Sequence, residues 1–273
     1  MALMKAEEFV KELTVRGERN FALHGHYNHV DLSGQKFPYE LTQALQAYFK
    51  QIITDPAKLA ELQKDGIIID DMNLRGVAAK ELWLPYARGN DVDMRDAQLH
   101  GANMPHLYLI RPQMQGLNAV HTEFPGIVVI DGVMNGKTDI SYANISEGVF
   151  RNTVMSGAKA RFVLFKDCQF PLSRAEGTDF RECVFDGSNI SDFDIYGADL
   201  SHASMVGVKT NGGTNVAKAK MKGTVLKETD GFGLIDGLDT AVWETPYNLG
   251  AAEREFLESR GYLEKPKKRW LGR

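Results

Sequence analysis

Large apolar residues recur at every fifth position over more than half of this chain, a period that neither an α-helix nor a β-strand produces. We call the large apolar residue of each five-residue unit its centre. Centres run through residues 74–134, 140–205 and 211–226, and one extra residue shifts the phase between successive runs. Of the 31 centres, 29 are Ala, Val, Ile, Leu, Met or Phe, whereas the hydrophobic content of 43% predicts about 13 by chance. Only Gly89 and Asn211 break the rule.

A small residue stands two positions before most centres, where 20 of the 31 residues are Ala, Gly, Ser, Thr or Cys. This pattern predicts a solenoid whose chain turns a corner at every unit. The centre and the small residue then point inward, and the other three residues point outward. Cys168 and Cys183 both occupy the small inward position, so we predict two buried thiols that form no disulfide bond.

The repeat resembles that of the pentapeptide-repeat family, Ala-Asp/Asn-Leu-X-X, and residues 30–34, 142–146 and 197–201 fit it closely. The resemblance implies a mainly β fold, a right-handed quadrilateral β-helix with four units per coil. The 31 units then make nearly eight coils, about 35–40 Å long at about 4.8 Å per coil. We number the four sides of the coil from the centres Leu74, Ala79, Leu84 and Gly89.

Three regions are predicted along the chain. Residues 1–68 form an N-terminal helical cap with one stranded repeat unit at 30–34, followed by a further centre at Phe37. Residues 69–227 form the pentapeptide-repeat β-helix, and residues 228–273 form a C-terminal loop, a helix and a basic tail. A cap is expected because the open end of a solenoid exposes unpaired backbone groups.

Helical spacing and capping residues locate the flanking helices. Residues 5–13 and 41–52 have helical apolar spacing, and Asp55-Pro56 predicts the N-cap and first turn of a further helix. Asn248 is predicted to cap the C-terminal helix, which runs to about Arg260.

Few residues form a pattern typical of a phosphate-binding, metal-binding or catalytic site. Residues 132–138 resemble a phosphate-binding loop, but three residues separate the glycines where the motif has four, and no helical pattern follows. His24, His26 and His29 lie close enough in sequence to bind a metal, but no fourth ligand is evident. No nucleophile–base arrangement or carboxylate pair stands out. We therefore predict a protein that is not an enzyme and binds neither a metal nor a cofactor.

Composition favours a cytoplasmic protein. No apolar stretch approaches the roughly 18 residues needed to span a bilayer, and Glu7, Glu8 and Glu12 are atypical of a secretory signal. Export by a signal of another kind stays open. The net charge of −4 favours neither direct nucleic-acid binding nor a membrane surface.

The outward positions predict two kinds of surface. On side 2, charges of both signs stack on successive coils and largely compensate one another; they include Asp179 and Asp199, as expected for a solvated face. On side 4, five outward residues are instead apolar, and we call this set the apolar patch: Tyr108, Ile110, Val128, Ile130 and Val149. Leu164 and Val184 are apolar at the matching position of side 3. A contiguous apolar surface predicts either a contact surface or a site covered by the chain's own terminal segments.

Two hypotheses of function follow. The first is a non-catalytic protein-interaction scaffold, of the kind that the resemblance associates with bacterial effectors and regulators. The second is a DNA-mimicking protein that protects a topoisomerase (gyrase), as in the quinolone-resistance branch of the family. Residues 176–199 are acidic, with a net charge of −6, but residues 71–226 have a net charge of only −1. The partner is not evident, and the homodimer hypotheses use either the C-terminal helix or the apolar patch.

Overall fold

The chain folds as a β-solenoid of about eight turns with helices at both ends. The computed structural model describes residues 4–19, 30–243 and 249–263. The helices are α1 (Ala6–Arg19), α2 (Tyr39–Thr54), α3 (Pro56–Asp65) and α4 (Ala251–Ser259). The strands are β1 (Ile67–Ile68), β2 (Ala87–Asn90), β3 (Tyr108–Ile110), β4 (Val128–Ile130), β5 (Val149–Arg151), β6 (Ser204–Val206) and β7 (Val225–Lys227).

Successive coils are joined by parallel backbone hydrogen bonds. The N–H of the centre Leu74 donates to the carbonyl of Asp93 in the next coil at 2.7 Å, and the N–H of Asp93 donates back to Met72 at 3.0 Å. Parallel bridges at a spacing of 20 or 21 residues continue this ladder on all four sides. The apolar centres are buried, which confirms the predicted quadrilateral β-helix.

The Asp or Asn that precedes many centres supports the corner of the coil. Its side-chain oxygen accepts a hydrogen bond from the N–H two residues later, as between Asp93 and Arg95 (3.1 Å) and between Asn215 and Ala217 (2.9 Å). The next residue is the corner residue, and it adopts a positive φ, for example 57° at Asp96. The short polar side chain therefore satisfies an N–H that points away from the ladder.

The small inward residue often carries a hydroxyl or thiol that has a definite partner. Ser173 donates to the carbonyl of Phe150 at 2.6 Å, and Thr178 donates to Met155 at 2.8 Å. Cys183 likewise donates to Ala160, the centre 23 residues earlier. A small polar residue fits this crowded position, and the carbonyl one coil below satisfies its hydrogen.

Both phase shifts use the same tetrapeptide, Asn-Gly-X-Thr, at residues 135–138 and 211–214. Each Asn accepts hydrogen bonds from its own loop and from the coil below: Asn135 from Lys137 and Gly116, Asn211 from Gly213 and Asp192. Each Thr hydroxyl donates to a centre carbonyl, Met114 or Ile190. The motif therefore absorbs one extra residue without leaving these groups unpaired.

The second motif corrects the predicted phase. Asn211 is not a centre, because its side chain lies in the loop and bonds Asp192. Thr210 occupies the inward position, only 9% exposed, with Val208 buried two residues before it. The extra residue therefore follows Thr210, as the first extra residue follows Met134.

The repeat unit at residues 30–34 is joined to the array instead of standing apart from it. Leu32 donates to Asn73 at 2.8 Å, Phe37 donates to Ala78 at 2.8 Å, and parallel bridges form at both places. This segment is thus half of the first coil. The chain then leaves through α2 and α3 and returns through β1, which pairs with β2 on side 4.

The N-terminal helices close this end of the solenoid. Phe9 and Leu13 of α1 are buried, and the Phe9 ring meets Phe37 edge-on at 6.3 Å. Asp55 caps α3 by accepting hydrogen bonds from the N–H groups of Ala57 and Lys58, as the Asp-Pro pair predicts. Because α1 extends to Arg19, it is longer than its apolar spacing indicates.

The solenoid also extends past its predicted C-terminal end. Parallel bridges join Lys220 to Val242 and Leu226 to Leu249, so a further, irregular coil precedes α4. Helix α4 packs onto it with Leu257 fully buried, and its N-cap is Gly250. The predicted cap Asn248 and the basic tail lie outside the described residues. No helix within the described ranges is long and apolar enough to cross a membrane.

Candidate interaction surface

The apolar patch lies on the longest continuous sheet among the described residues. Strands β1 to β5 form a five-stranded parallel sheet along side 4. Its register stacks Tyr108 on Val128 and Val149, and Ile110 on Ile130. The five residues are therefore brought together in two adjacent columns, as the 20-residue spacing predicts.

The two faces of this sheet differ in burial. The inward residues Leu109, Val129 and Phe150 are at most 1% exposed, whereas the residues of the apolar patch are each half-buried. Arg88 and Arg151 continue the two columns at opposite ends of the patch. An ion pair between Arg111 and Asp91, with 2.6 Å between Nη2 and Oδ2, lies at the neighbouring corner.

Backbone chemistry explains why this side tolerates apolar residues. On the other sides, an Asp or Asn before the centre accepts the N–H two residues later. On side 4, residues 108–110 and 128–130 form true strands, whose backbone groups pair with the adjacent coils. The strand hydrogen bonds make an Asp or Asn acceptor before the centre unnecessary at these positions. β-Branched residues are favoured in a pleated strand. The sheet permits an apolar surface, but it does not require Tyr108 or five apolar residues in contact.

Side 2 carries the predicted charge ladder. Asp179 lies between Arg181 at 2.6 Å and Arg161 at 3.8 Å, and Lys220 approaches Asp199 at 3.3 Å. Burial alone would raise the pKa of Asp179, but hydrogen bonds from Arg181 outweigh it and hold the pKa below its usual range. The same balance of burial against hydrogen bonds, from Ser201 and Lys220, lowers the pKa of Asp199. Both carboxylates are thus ionised and paired.

The acidic segment 176–199 does not form one acidic face. Its carboxylates are distributed over sides 1, 2 and 3 and two of the corners because the chain turns a corner every five residues. Several already serve the fold: Asp186 accepts from the Ser204 hydroxyl and the Val206 N–H, and Asp194 accepts from Asn215 and the Tyr196 N–H. The local net charge of −6 therefore overstates the charge that any one surface presents.

An aromatic ladder at the corner between sides 2 and 3 was missed by the sequence analysis. His121, Tyr142 and Phe162 stack on successive coils, with 4.7 Å between the ring centroids of each pair. All three adopt a positive φ, and Tyr142 is 49% exposed. Aromatic residues at a spacing of 20 or 21 were the signal in the sequence. Because the faces of these rings stack against one another, mainly the ring edges are exposed to solvent.

The remaining candidates supply no chemistry that the structure supports. Asn135 and Thr138 bond within their own loop and the coil below, so residues 132–138 form a corner and not a phosphate cradle. Leu164 and Val184 stack as predicted on side 3. Within the described residues no metal-binding cluster occurs, and His24, His26 and His29 lie outside them.

Cys168 and Cys183 are free and buried, as predicted. Burial raises the pKa of the Cys168 thiol to about 12 and also raises that of Cys183. Both thiols are therefore protonated and unreactive at neutral pH.

Comparisons with known proteins found one family model and several solved structures that are similar to this chain. The family model for pentapeptide repeats matches in eight copies, at residues 173–201. No curated protein matches the chain. Among solved structures, HetL, a pentapeptide repeat protein involved in heterocyst differentiation regulation in the cyanobacterium Nostoc sp., is 16% identical. That match covers 90% of this chain and 98% of HetL, with a TM-score of 0.46.

Two further structures are similar over less of the chain. Full-length QnrB1, a plasmid-mediated fluoroquinolone resistance protein, is 12% identical over 71% of this chain and 96% of its own, with a TM-score of 0.28. Rfr23, a pentapeptide repeat protein from the cyanobacterium Cyanothece, is 12% identical over 70% and 99%, with a TM-score of 0.23. The five-residue period and the four-sided coil are similar to those of pentapeptide-repeat proteins, whose family model matches residues 173–201.

Proposed function

We propose that this protein is a non-catalytic scaffold that binds a protein partner through the apolar patch. One observation carries the proposal: five apolar side chains stand at outward positions of one sheet, in register and half-buried. A contiguous apolar surface on a folded protein often marks a contact surface. The support is the geometry of this surface, since the fold alone does not specify a function.

The energetics favour the patch over the charge ladders. Binding energy concentrates in a few well-packed apolar or aromatic anchors, among which Tyr is common. Exposed ion pairs such as Lys220–Asp199 contribute at most about 1 kcal/mol each. Asp179 and Asp199 are in addition already paired within the chain. We therefore assign Tyr108 and Val128 the principal role and the charges of side 2 a minor one.

A double variant with a matched control tests this function. Tyr108→Ala with Val128→Ser should leave the melting temperature close to that of the wild type and abolish partner capture or self-association. Val133 and Val154 occupy the same outward position on side 1, so Val133→Ser with Val154→Ser is the control and should retain binding. Pull-down and light scattering on both variants are the measurements.

The other outcomes are equally informative. Normal binding by the folded double variant would place the contact surface elsewhere and refute the proposal. Unfolding of the double variant alone would show that the chain's own segments cover the patch, which also refutes it.

The gyrase-protection hypothesis has less support in the geometry. Its sequence argument was the acidic segment 176–199, whose carboxylates are spread around the coil and partly paired. Its dimer would use α4, yet the apolar side of α4 is packed on the last coil, and Glu255 and Glu258 are exposed. A supercoiling assay with gyrase and a fluoroquinolone separates the two functions: protection by this protein would favour the DNA mimic.

A further inference from the structure

A groove of about 440 Å³ opens at the corner between sides 3 and 4, directly beside the apolar patch. Two patch residues, Tyr108 and Val128, form one of its walls. The remaining lining residues are Gln63, Tyr86, Arg88, His106 and Gly126. Its volume is within the range of ordinary ligand pockets, so it can accept a whole side chain from a partner.

The charge of this groove differs from that of the chain. The protein has a net charge of −4, yet none of the described residues that line the groove carries a carboxylate. They provide instead a guanidinium, an imidazole, two phenol groups and a carboxamide. Hydrogen-bond donors therefore predominate, and the only fixed charge is the positive charge of Arg88.

Arg88 is held in place by the end of α3. Its Nη2 donates to the carbonyl of Gln63 at 2.7 Å, and its Nη1 donates to that of Lys64 at 3.2 Å. These bonds orient the guanidinium without neutralising it. A positioned charge next to apolar surface favours an anionic group, because the partner then loses less conformational entropy on binding.

The opposite wall is a rigid aromatic pair. The rings of Tyr86 and His106 stack with 4.8 Å between centroids, and Gln63 donates to the Tyr86 hydroxyl at 3.1 Å. The imidazole lies over Gly126, where an added Cβ would stand 2.5 Å from its Nδ1. Glycine at this corner thus leaves room for the imidazole to pack against the backbone of the next coil.

We propose that the groove binds a carboxylate side chain, Asp or Glu, of the same protein partner whose apolar residues contact the patch. Charge complementarity with Arg88 and continuity with the patch identify the occupant as an extended, acidic-apolar peptide segment. Apolar residues of that segment lie on Val128 and Ile130, and the carboxylate accepts hydrogen bonds from Arg88 and His106. This inference rests on the function proposed above and adds the chemistry of the partner.

A random decapeptide library displayed on phage and selected on the full-length protein provides the probe. Selected peptides that bind wild type but not Tyr108→Ala/Val128→Ser should share an Asp or Glu next to apolar residues. Changing that residue to Asn or Gln in the synthetic peptide should weaken binding about tenfold, which corresponds to about 1.4 kcal/mol. Binding should also weaken as salt rises from 50 to 500 mM, about a threefold decrease in screening length.

Paired substitutions separate charge from lost apolar contact. Tyr108→Glu and Tyr108→Lys remove the same ring but place opposite charges at the groove, so only Tyr108→Glu should repel the acidic peptide. We expect it to bind at least about tenfold more weakly than Tyr108→Lys. Val154→Glu and Val154→Lys, at the same outward position on side 1, are the controls and should bind equally well.

The results distinguish failure of the carboxylate inference from failure of the proposed contact surface. Equal weakening by Tyr108→Glu and Tyr108→Lys, with no acidic residue among selected peptides, overturns the carboxylate inference and leaves the proposed contact surface intact. Full binding by both variants and by the Tyr108→Ala/Val128→Ser variant overturns both. Weakening by Tyr108→Glu that clearly exceeds the weakening by Tyr108→Lys supports the inference.

Discussion

The two halves of the solenoid use one repeat in opposite ways. In the coils that contain β2 to β5, the interior is mainly aliphatic, and β-branched residues face outward on side 4. In residues 160–200 five phenylalanines are inside, and the outward positions before the centres are mostly polar or charged. The N-terminal half thus presents apolar residues on its sheet, whereas the C-terminal half places aromatic rings inside and still exposes Leu172 and Tyr196.

The interior of the C-terminal half is a stack of phenylalanines. Phe150, Phe170 and Phe193 are parallel along one column at 5.5 and 4.6 Å, and Phe165 lies parallel to Phe185 at 5.0 Å. Offset and edge contacts of this kind add to the free energy of burial. At the other end, residues such as Leu32, Leu74 and Met94 line a small apolar cavity of about 20 Å³. The proposed contact surface and the aromatic core therefore lie in different parts of one uniform fold.

The largest expected effect is the loss of the C-terminal core. Phe185→Asp places a carboxylate between Phe165 and Phe180 and should abolish soluble, folded protein. Phe185→Leu is the control and should remain folded. Circular dichroism and size exclusion measure both, and a normal melt of Phe185→Asp would show that residue 185 is not inward.

Shortening one buried side chain in each half of the solenoid tests whether the aromatic core is more sensitive to substitution than the aliphatic core. Phe170→Ala removes a ring that stacks on two others and should lower the free energy of unfolding by about 3–5 kcal/mol. Met114→Ala, at a buried centre of the aliphatic half, should cost less, about 2–3 kcal/mol, because methionine neighbours can adapt. Urea denaturation gives both values, and the reverse order would contradict the contrast between the cores.

A smaller effect tests the corrected phase. Asn211→Leu should destabilise the protein by about 1–2 kcal/mol, since it leaves the N–H groups of Asp192 and Gly213 without their acceptor. Asn135→Leu, in the equivalent loop of the N-terminal half, should cost a similar amount. Thermal melts measure the two variants. Stabilisation by Asn211→Leu would mean that this residue is a centre after all.

The smallest effect concerns the charge ladder of side 2. Arg181→Gln should lower the free energy of unfolding by at most about 1 kcal/mol, because the pair is partly exposed to solvent. The pKa of Asp179 is lowered in the folded state, so its contribution is full above the ordinary value of 3.8 and is lost as pH falls through the folded pKa. The difference between variant and wild type should therefore shrink below about pH 4. Stability curves from pH 2 to 7 measure it, and a constant difference would exclude the pair as its source.

The sequence predicts the interior better than it predicts the connections. A five-residue period fixes which residues point inward, because the corner geometry repeats, and it also stacks Tyr108, Val128 and Val149 correctly. It cannot show that residues 30–34 join the first coil, since that contact spans two helices. The Asn-Gly-X-Thr repeat was visible in the sequence, but its meaning depends on hydrogen bonds to the coil below.

Only part of the candidate site can be predicted from the five-residue period. Periodicity locates the apolar patch, but the groove beside it requires α3, whose carbonyls orient Arg88. The corner aromatics His121, Tyr142 and Phe162 have the right spacing, yet corner positions face solvent and give no reason to expect stacked rings. Side-chain contacts across coils thus need the structure.

Site-specific photocrosslinking tests the central claim most directly. A benzophenone amino acid replaces Tyr108 in the patch or, in a second protein, the 39% exposed Tyr196 of the C-terminal half. Both positions are tyrosines on the outer surface, so the substitutions are matched. We expect covalent capture of the partner from position 108 and none from position 196. Capture from position 196 alone would contradict the assignment of recognition to the N-terminal sheet.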